Sequence, residues 1–203
     1  MWIRPDYFVG ANGHVVEDAE GRIIHSVRMA ADLYFDIIDY CDEHDLGFFW
    51  KYEDNCHAYH YHKNIPLAFK GMEDRCFMSR RKKEDLLPNA GALFCRREEM
   101  EAFKERFSDR VDVVNGGYLM YDVNIRGINK SQGIAALMEL LGIRPEEVMA
   151  FGDSENDIEM FQYAGIGVCM GNGMEIARNK ADYITKTSDE SGIRLALQHF
   201  DII

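Results

Sequence analysis

The 203-residue chain is 47% hydrophobic and 29% charged, the proportions of a soluble globular protein, and it can bury a core as one large domain or two small ones. Its formal net charge of -12 at pH 7 argues against nucleic-acid binding and against adhesion to an anionic membrane, since both select basic surfaces. Phosphate esters remain open as ligands, because a divalent cation and a lysine can reverse the field locally. Five cysteines form no C-x-x-C pair, the pattern of reduced thiols in the cytoplasm. The opening "MWIRPDYFVG" has no apolar signal region, and no apolar run reaches the ~20 residues of a membrane helix. The expected compartment is therefore the cytoplasm.

Along the chain, residues 7–25 read as a strand reaching Asn12-Gly13, then a hairpin turning at "EDAEG". Met29, Leu33, Ile37 and Cys41 recur at helical spacing within residues 26–42. "GFFWKYEDNCHAYHYH" (47–62) is aromatic and strand-like around a polar turn. Next come a short strand, "GALFCR", and a charged helix, "REEMEAFKERFSD". Two strands flanking Gly116-Gly117 follow, so that residues 28–124 read as an α+β module with a mostly antiparallel sheet.

After residue 125 the texture changes. "SQGIAALMELLG" predicts a helix with Ser131 as N-cap and Gly142 as its stop. The apolar strands "EVMAFG", "IGVCMG" and "DYIT" alternate with the helices "DIEMFQYA", "GMEIARNKA" and "SGIRLALQHF". That alternation predicts a parallel sheet covered on both faces. The fold class is thus α/β, one layered domain interrupted by an inserted module. Residues 1–27 and 125–203 form the core, and 28–124 form the insert.

Ligands bind at the carboxyl ends of strands in such sheets, and Asp153 stands there, directly after "VMAFG". The helix expected to start at Ser154 or Glu155 turns its free N–H groups toward the same crevice. Asp153 and Asp157, four residues apart, can converge on one hard cation, and Mg2+ suits a few carboxylates plus a phosphate. A simpler reading makes Ser154 and Asp157 an N-terminal capping box, which leaves Asp153 unexplained. An EF-hand fails, because Ile158 and Ala164 stand where its glycine and glutamate belong. Lys130, just before a helix, has the charge to hold a phosphoryl oxygen.

The stretch "GINKSQGIAALMELLGIRPEEVMAFGDSENDIEMFQYAGIGVCMGNGMEIARNKADYIT" resembles the C-terminal half of the haloacid-dehalogenase-like (HAD) phosphatases, most closely the Cof-type sugar-phosphate phosphatases. G-D-x-x-N-D-x-x-M followed by a strand, G-N and A-D is a specific pattern. "ANGHVV" resembles the family's N-G segment, and the middle block its inserted cap. The resemblance implies a Rossmann-like core with an α+β cap. It implies Mg2+ on Asp153, with Asp157 supporting the metal shell. Lys130 and Asn156 would hold the phosphoryl group, and Asn12 would lie near the substrate entrance. The implied reaction is hydrolysis of small, phosphosugar-like phosphorylated metabolites through an aspartyl phosphate.

The D-x-D-G-T segment that supplies the nucleophile in that family occurs nowhere in these 203 residues. The expectation is a chain without the first core strands and without turnover of its own, whose open core edge pairs with another copy. The alternative is a catalytically silent binding protein that uses that edge for a partner. His57, His60 and His62 remain open between a metal site, a substrate-facing cap strand and plain surface. "RRKKED" (80–85) reads as a solvated run.

Overall fold

The computed structural model describes residues 5–60, 76–78, 86–117 and 120–203. By contacts the chain divides into two compact units, Met1–Ile128 and Asn129–Ile203.

The first unit opens with strands β1 (Tyr7–Gly10), β2 (Val15–Asp18) and β3 (Ile23–Ser26) in one antiparallel sheet. A single turn, Ala11–Gly13, joins β1 to β2. Helix α1 (Ala31–His44) follows, then β4 (Gly47–Lys51), β5 (Cys56–His60), β6 (Cys76–Met78) and β7 (Ala90–Phe94). Helix α2 (Arg97–Arg106), β8 (Val111–Gly117) and β9 (Met120–Ile125) complete the unit. The second sheet has the order β6-β5-β4-β7-β9-β8, antiparallel except for the parallel β5–β6 pair, as the sequence pattern predicts.

The predicted helical stripe is the one that packs. Met29, Leu33, Ile37 and Cys41 are buried with Phe48, Trp50, Leu93, Phe103 and Val123. The faces match because α1 repeats its apolar positions every three or four residues while β4 alternates. Residues 5–27 join this unit through hydrogen bonds: the Ile125 N–H donates to His14 Nε2, and the Asn89 side-chain amide donates to Ser26 Oγ and the Val27 carbonyl. By contacts, then, the boundary falls at Ile128/Asn129, whereas the sequence pattern groups residues 1–27 with 125–203.

In the second unit, helix α3 (Lys130–Leu141) leads to β10 (Met149–Gly152). A 3-10 turn (Glu155–Asp157), helix α4 (Ile158–Tyr163), β11 (Ile166–Cys169), helix α5 (Glu175–Arg178), β12 (Tyr183–Ile184) and helix α6 (Gly192–His199) follow. The three strands are parallel in the order β10-β11-β12, which bears out the expected alternation. Ala150, Met160, Phe161, Cys169 and Ala177 form its core.

The N-cap of α3 is Asn129, not Ser131. Asn129 has extended backbone and its Oδ1 accepts from the amides of Ser131 and Gln132, whereas Ser131 lies inside the first turn. Gly142 ends the helix at φ 66°, as expected. Among the described residues no helix is long and apolar enough to cross a membrane.

Candidate active site

The second unit brings Lys130, Asp153, Asn156 and Asp157 together at the carboxyl end of β10. Asn129 caps α3 and thereby fixes the helix start that carries Lys130. Lys130 Nζ donates to Asp157 Oδ1 at 2.5 Å and to Asn156 Oδ1 at 3.3 Å. The other Asp157 oxygen accepts from the amides of Asp153 (2.8 Å) and Ser154 (3.0 Å) and lies 3.1 Å from Ser154 Oγ. Ser154 Oγ is closer to Asn156 Oδ1, at 2.6 Å.

Of the four acids in "DSENDIE", only Asp157 is buried, at 3% exposure, whereas Asp153, Glu155 and Glu159 are exposed. Lys130 is the positive charge that this crowded loop requires. Burial pushes the Asp157 carboxyl upward. The hydrogen bond from Lys130 and those from the Asp153 and Ser154 amides outweigh it, holding the group below the ordinary carboxylate range.

The capping box and the functional reading therefore coincide on one side chain. Asp157 Oδ2 ties the turn and Oδ1 holds the lysine. This requires close approach of β10, and a Cβ at position 152 would stand 2.5 Å from Asp157 Cγ. Glycine is thus the residue that fits there. On the other side, Met174 N–H donates to the Asp153 carbonyl at 2.7 Å, and a Cβ at Gly173 would lie 3.1 Å from that same oxygen. Both backbone groups of Asp153 are pinned, while its carboxylate stands in solvent.

The donors fit a hard cation in kind. Asp153 offers exposed carboxylate oxygens, and Mg2+ is commonly held by one or two carboxylates plus water and phosphate. Asp157 is committed to Lys130 and the turn, which suits it to supporting Asp153 more than to direct ligation. Among the described residues no group of three His, Cys, Asp or Glu side chains is placed to hold a metal.

Asn12 lies in the first unit, in left-handed conformation (φ 54°, ψ 37°), with its Nδ2 3.3 Å from Asn124 Oδ1. His57 is buried edge-on to the Tyr52 ring. His60 ends β5, and His62 and residues 80–85 lie outside the described residues. The capping box expected of Ser154 and Asp157 is present, whereas sequence reasoning passed over Gly152. Its signal was present, because a Gly-Asp-Ser-x-x-Asp run lets the last carboxylate fold back only across a residue without a side chain.

A chain of similar sequence is the 5-amino-6-(5-phospho-D-ribitylamino)uracil phosphatase YcsE of Bacillus subtilis. It is 43% identical over 103 residues, which are 51% of this chain and 39% of that protein. The solved structure of the HAD subclass IIB sugar phosphatase BT4131 superposes with a TM-score of 0.84 at 25% identity, over 98% of this chain and 76% of that one. The HAD-superfamily phosphatase BT1666 from Bacteroides thetaiotaomicron does so with the same score and identity, over 98% and 75%. The family described as haloacid dehalogenase-like hydrolase matches residues 3–197. With nearly its whole length matched, the chain belongs to the haloacid dehalogenase-like hydrolases, in the branch of the Cof-type phosphatases.

Proposed function

We propose that this chain carries the metal- and phosphate-holding half of a Mg2+-dependent phosphatase acting on small phosphorylated metabolites of phosphosugar type. The observation that carries the reading is the Lys130–Asp157–Asn156 cluster beside the exposed Asp153. It joins residues 26 and 27 positions apart at the carboxyl end of a parallel strand. In this reading Asp153 would hold the Mg2+, which would supply positive charge for the phosphoryl oxygens. Lys130 supplies the second positive charge. Asn156 orients the group, Asp157 holds Lys130 and the turn in place, and Asn12 serves as a further substrate-binding residue. The phosphatases among its relatives support the substrate class. The family's aspartyl nucleophile has no counterpart in these 203 residues, so the chain by itself turns nothing over.

The test has two arms. Inorganic phosphate with Mg2+ should shift the amide resonances of residues 152–157 and of Lys130, and Asp153→Asn should abolish those shifts. Unmoved resonances at millimolar Mg2+ and phosphate would sink the site assignment. Phosphate release from an aryl phosphate should stay at background with or without EDTA. Mg2+-dependent release that Asp153→Asn removes would show that another carboxylate of this chain serves as nucleophile.

A second reading has its own support. Among the described residues β10 is an edge strand, bonded in its sheet to β11, and Met174, Ile176, Ile184, Ile193 and Leu195 of the same unit are exposed. Open strand edges and apolar surface invite a partner strand. In this reading the chain is a binding protein that pairs that edge, with a second copy as the simplest partner. A monodisperse monomer in light scattering, unfolding in one cooperative step, would refute it.

A further inference from the structure

His14 is fully buried, and neither proposed function uses it. Its ring joins two chain segments 111 residues apart. Nδ1 lies 2.6 Å from the carbonyl oxygen of Ala11, and Nε2 lies 3.2 Å from the amide of Ile125. A carbonyl oxygen only accepts and an amide N–H only donates. Nδ1 must therefore carry the proton and Nε2 must be bare, so the two contacts together fix one neutral tautomer. An imidazolium would set its Nε2–H against the Ile125 N–H.

What the ring fastens is an unusual turn. Ala11, Asn12 and Gly13 all have positive φ, at 46°, 54° and 96°. Two of them are not glycine, so the left-handed backbone costs energy and persists only where its surroundings hold it. The fastenings converge on His14. Its amide and its ring both donate to the Ala11 carbonyl, its carbonyl accepts from Val27, and Ile125 anchors the ring to the end of β9. One residue before Ile125, the buried Asn124 receives the Asn12 side-chain amide. The nearby Lys51 ammonium adds electrostatic pressure against a second proton on the ring.

We infer that His14 is a positioning residue for Asn12, its neutral ring locking the left-handed Ala11–Gly13 turn against β9 so that the Asn12 side chain is set in one orientation. The functional weight of this inference rests on the reading of Asn12 as a substrate residue. The geometry can be tested without any turnover.

Long-range proton–nitrogen spectra of the intact chain labelled with 15N-histidine should show His14 neutral, with its proton on Nδ1, at pH 7 and at pH 6. In His14→Phe, which fills the space and makes neither bond, the Ile125 amide should exchange about tenfold faster, as expected for one lost hydrogen bond. The Asn12 side-chain amide pair should move, while the amides of residues 129–203 stay put. His14→Asn, whose amide can occupy the Nδ1 position, should keep the Asn12 resonances in place while Ile125 still loses protection. Three results overturn the inference: a proton on Nε2, an imidazolium at pH 6, or Asn12 resonances unmoved in His14→Phe. Should His14→Phe fail to fold, the wild-type tautomer and His14→Asn decide. None of these results touches the phosphatase reading, which stands or falls on the Mg2+ and phosphate shifts.

Discussion

Replacing Lys130 by Met removes the positive charge paired with the buried Asp157 carboxylate. Breaking a fully buried ion pair costs about 3–5 kcal/mol, because the remaining charge is left uncompensated. Here the Lys130 side chain is 31% exposed and Asp157 4%. Asp157 also keeps the Asp153 and Ser154 amides and the nearby Ser154 hydroxyl. The cost therefore falls below that range, at about 2–3 kcal/mol at pH 7. In an Asp157→Asn background no buried charge remains and Lys130 can turn to water, so the same replacement should cost under about 0.5 kcal/mol. The pH dependence follows from the sign of the shift. Asp157 is held below its ordinary 3.8, so its stabilisation is complete above that value and is lost as pH falls through the folded pKa. The gap between wild type and Lys130→Met should thus be full at pH 7 and close on acidification, as the unbalanced carboxyl of the variant takes up a proton before the wild-type one does. Urea unfolding followed by the amide resonances of β10 and β11 measures it. Equal costs of Lys130→Met with and without Asp157→Asn would refute the claim that this lysine balances Asp157.

Burial lowers the His14 pKa from 6.5 to about 4 despite the Ala11 bond, with Lys51 adding to the decrease. The unfolded chain therefore binds the extra proton first on acidification, and stability should fall between those values by on the order of 3 kcal/mol, at 1.36 kcal/mol per pH unit. Fluorescence-monitored denaturation of wild type against His14→Phe checks this, and parallel pH profiles between 6.5 and 4 would contradict it. Asn129→Ala should cost about 1 kcal/mol through loss of the α3 cap, whereas Ser131→Ala should cost less, which thermal melts of the pair resolve. Burial pushes the thiols of Cys41, Cys95 and Cys169 up, Cys95 to about 12. All three should resist maleimide at pH 8 until the chain is denatured, and prompt labelling of any one in the native protein would count against the packing described.

Much of this fold was legible because period and burial agree. The stripe Met29–Leu33–Ile37–Cys41 and the unbroken apolar strands "VMAFG" and "IGVC" each match one face or one layer of the structure. The cap of α3 was misplaced by two residues, because Asn129 and Ser131 are both good cap formers. Only the backbone at 129, φ -145° and ψ -177°, distinguishes them. The chemistry of "GDSEND" was legible as residue types, but the allocation of its oxygens was not. Spacing alone lets Asp153 and Asp157 share a cation. In the structure Asp157 instead faces inward to the turn and Lys130, and Asp153 faces solvent.

The role of Asp157 shows why a capping residue and a functional residue need not compete. A carboxylate that only capped the turn could be exchanged for Asn at small cost, since Asn caps as well as Asp. A carboxylate that only bound a cation would stand exposed, as Asp153 does. Asp157 is buried and uses one oxygen for the backbone of the very residue that presents Asp153, and the other for the lysine 27 positions before it. The turn that presents the exposed Asp153 and the position of the Lys130 ammonium are thus set by a single group. Asp157→Asn keeps an acceptor for the turn but turns an amide toward Lys130 Nζ, so it should release the lysine while leaving the Asp153 amide bonded. Mg2+ titration should then still perturb Asp153 in that variant, while the phosphate-induced shift at Lys130 disappears. Loss of both responses together would mean that Asp157 is itself a metal ligand, and that the division of labour drawn from the geometry is wrong.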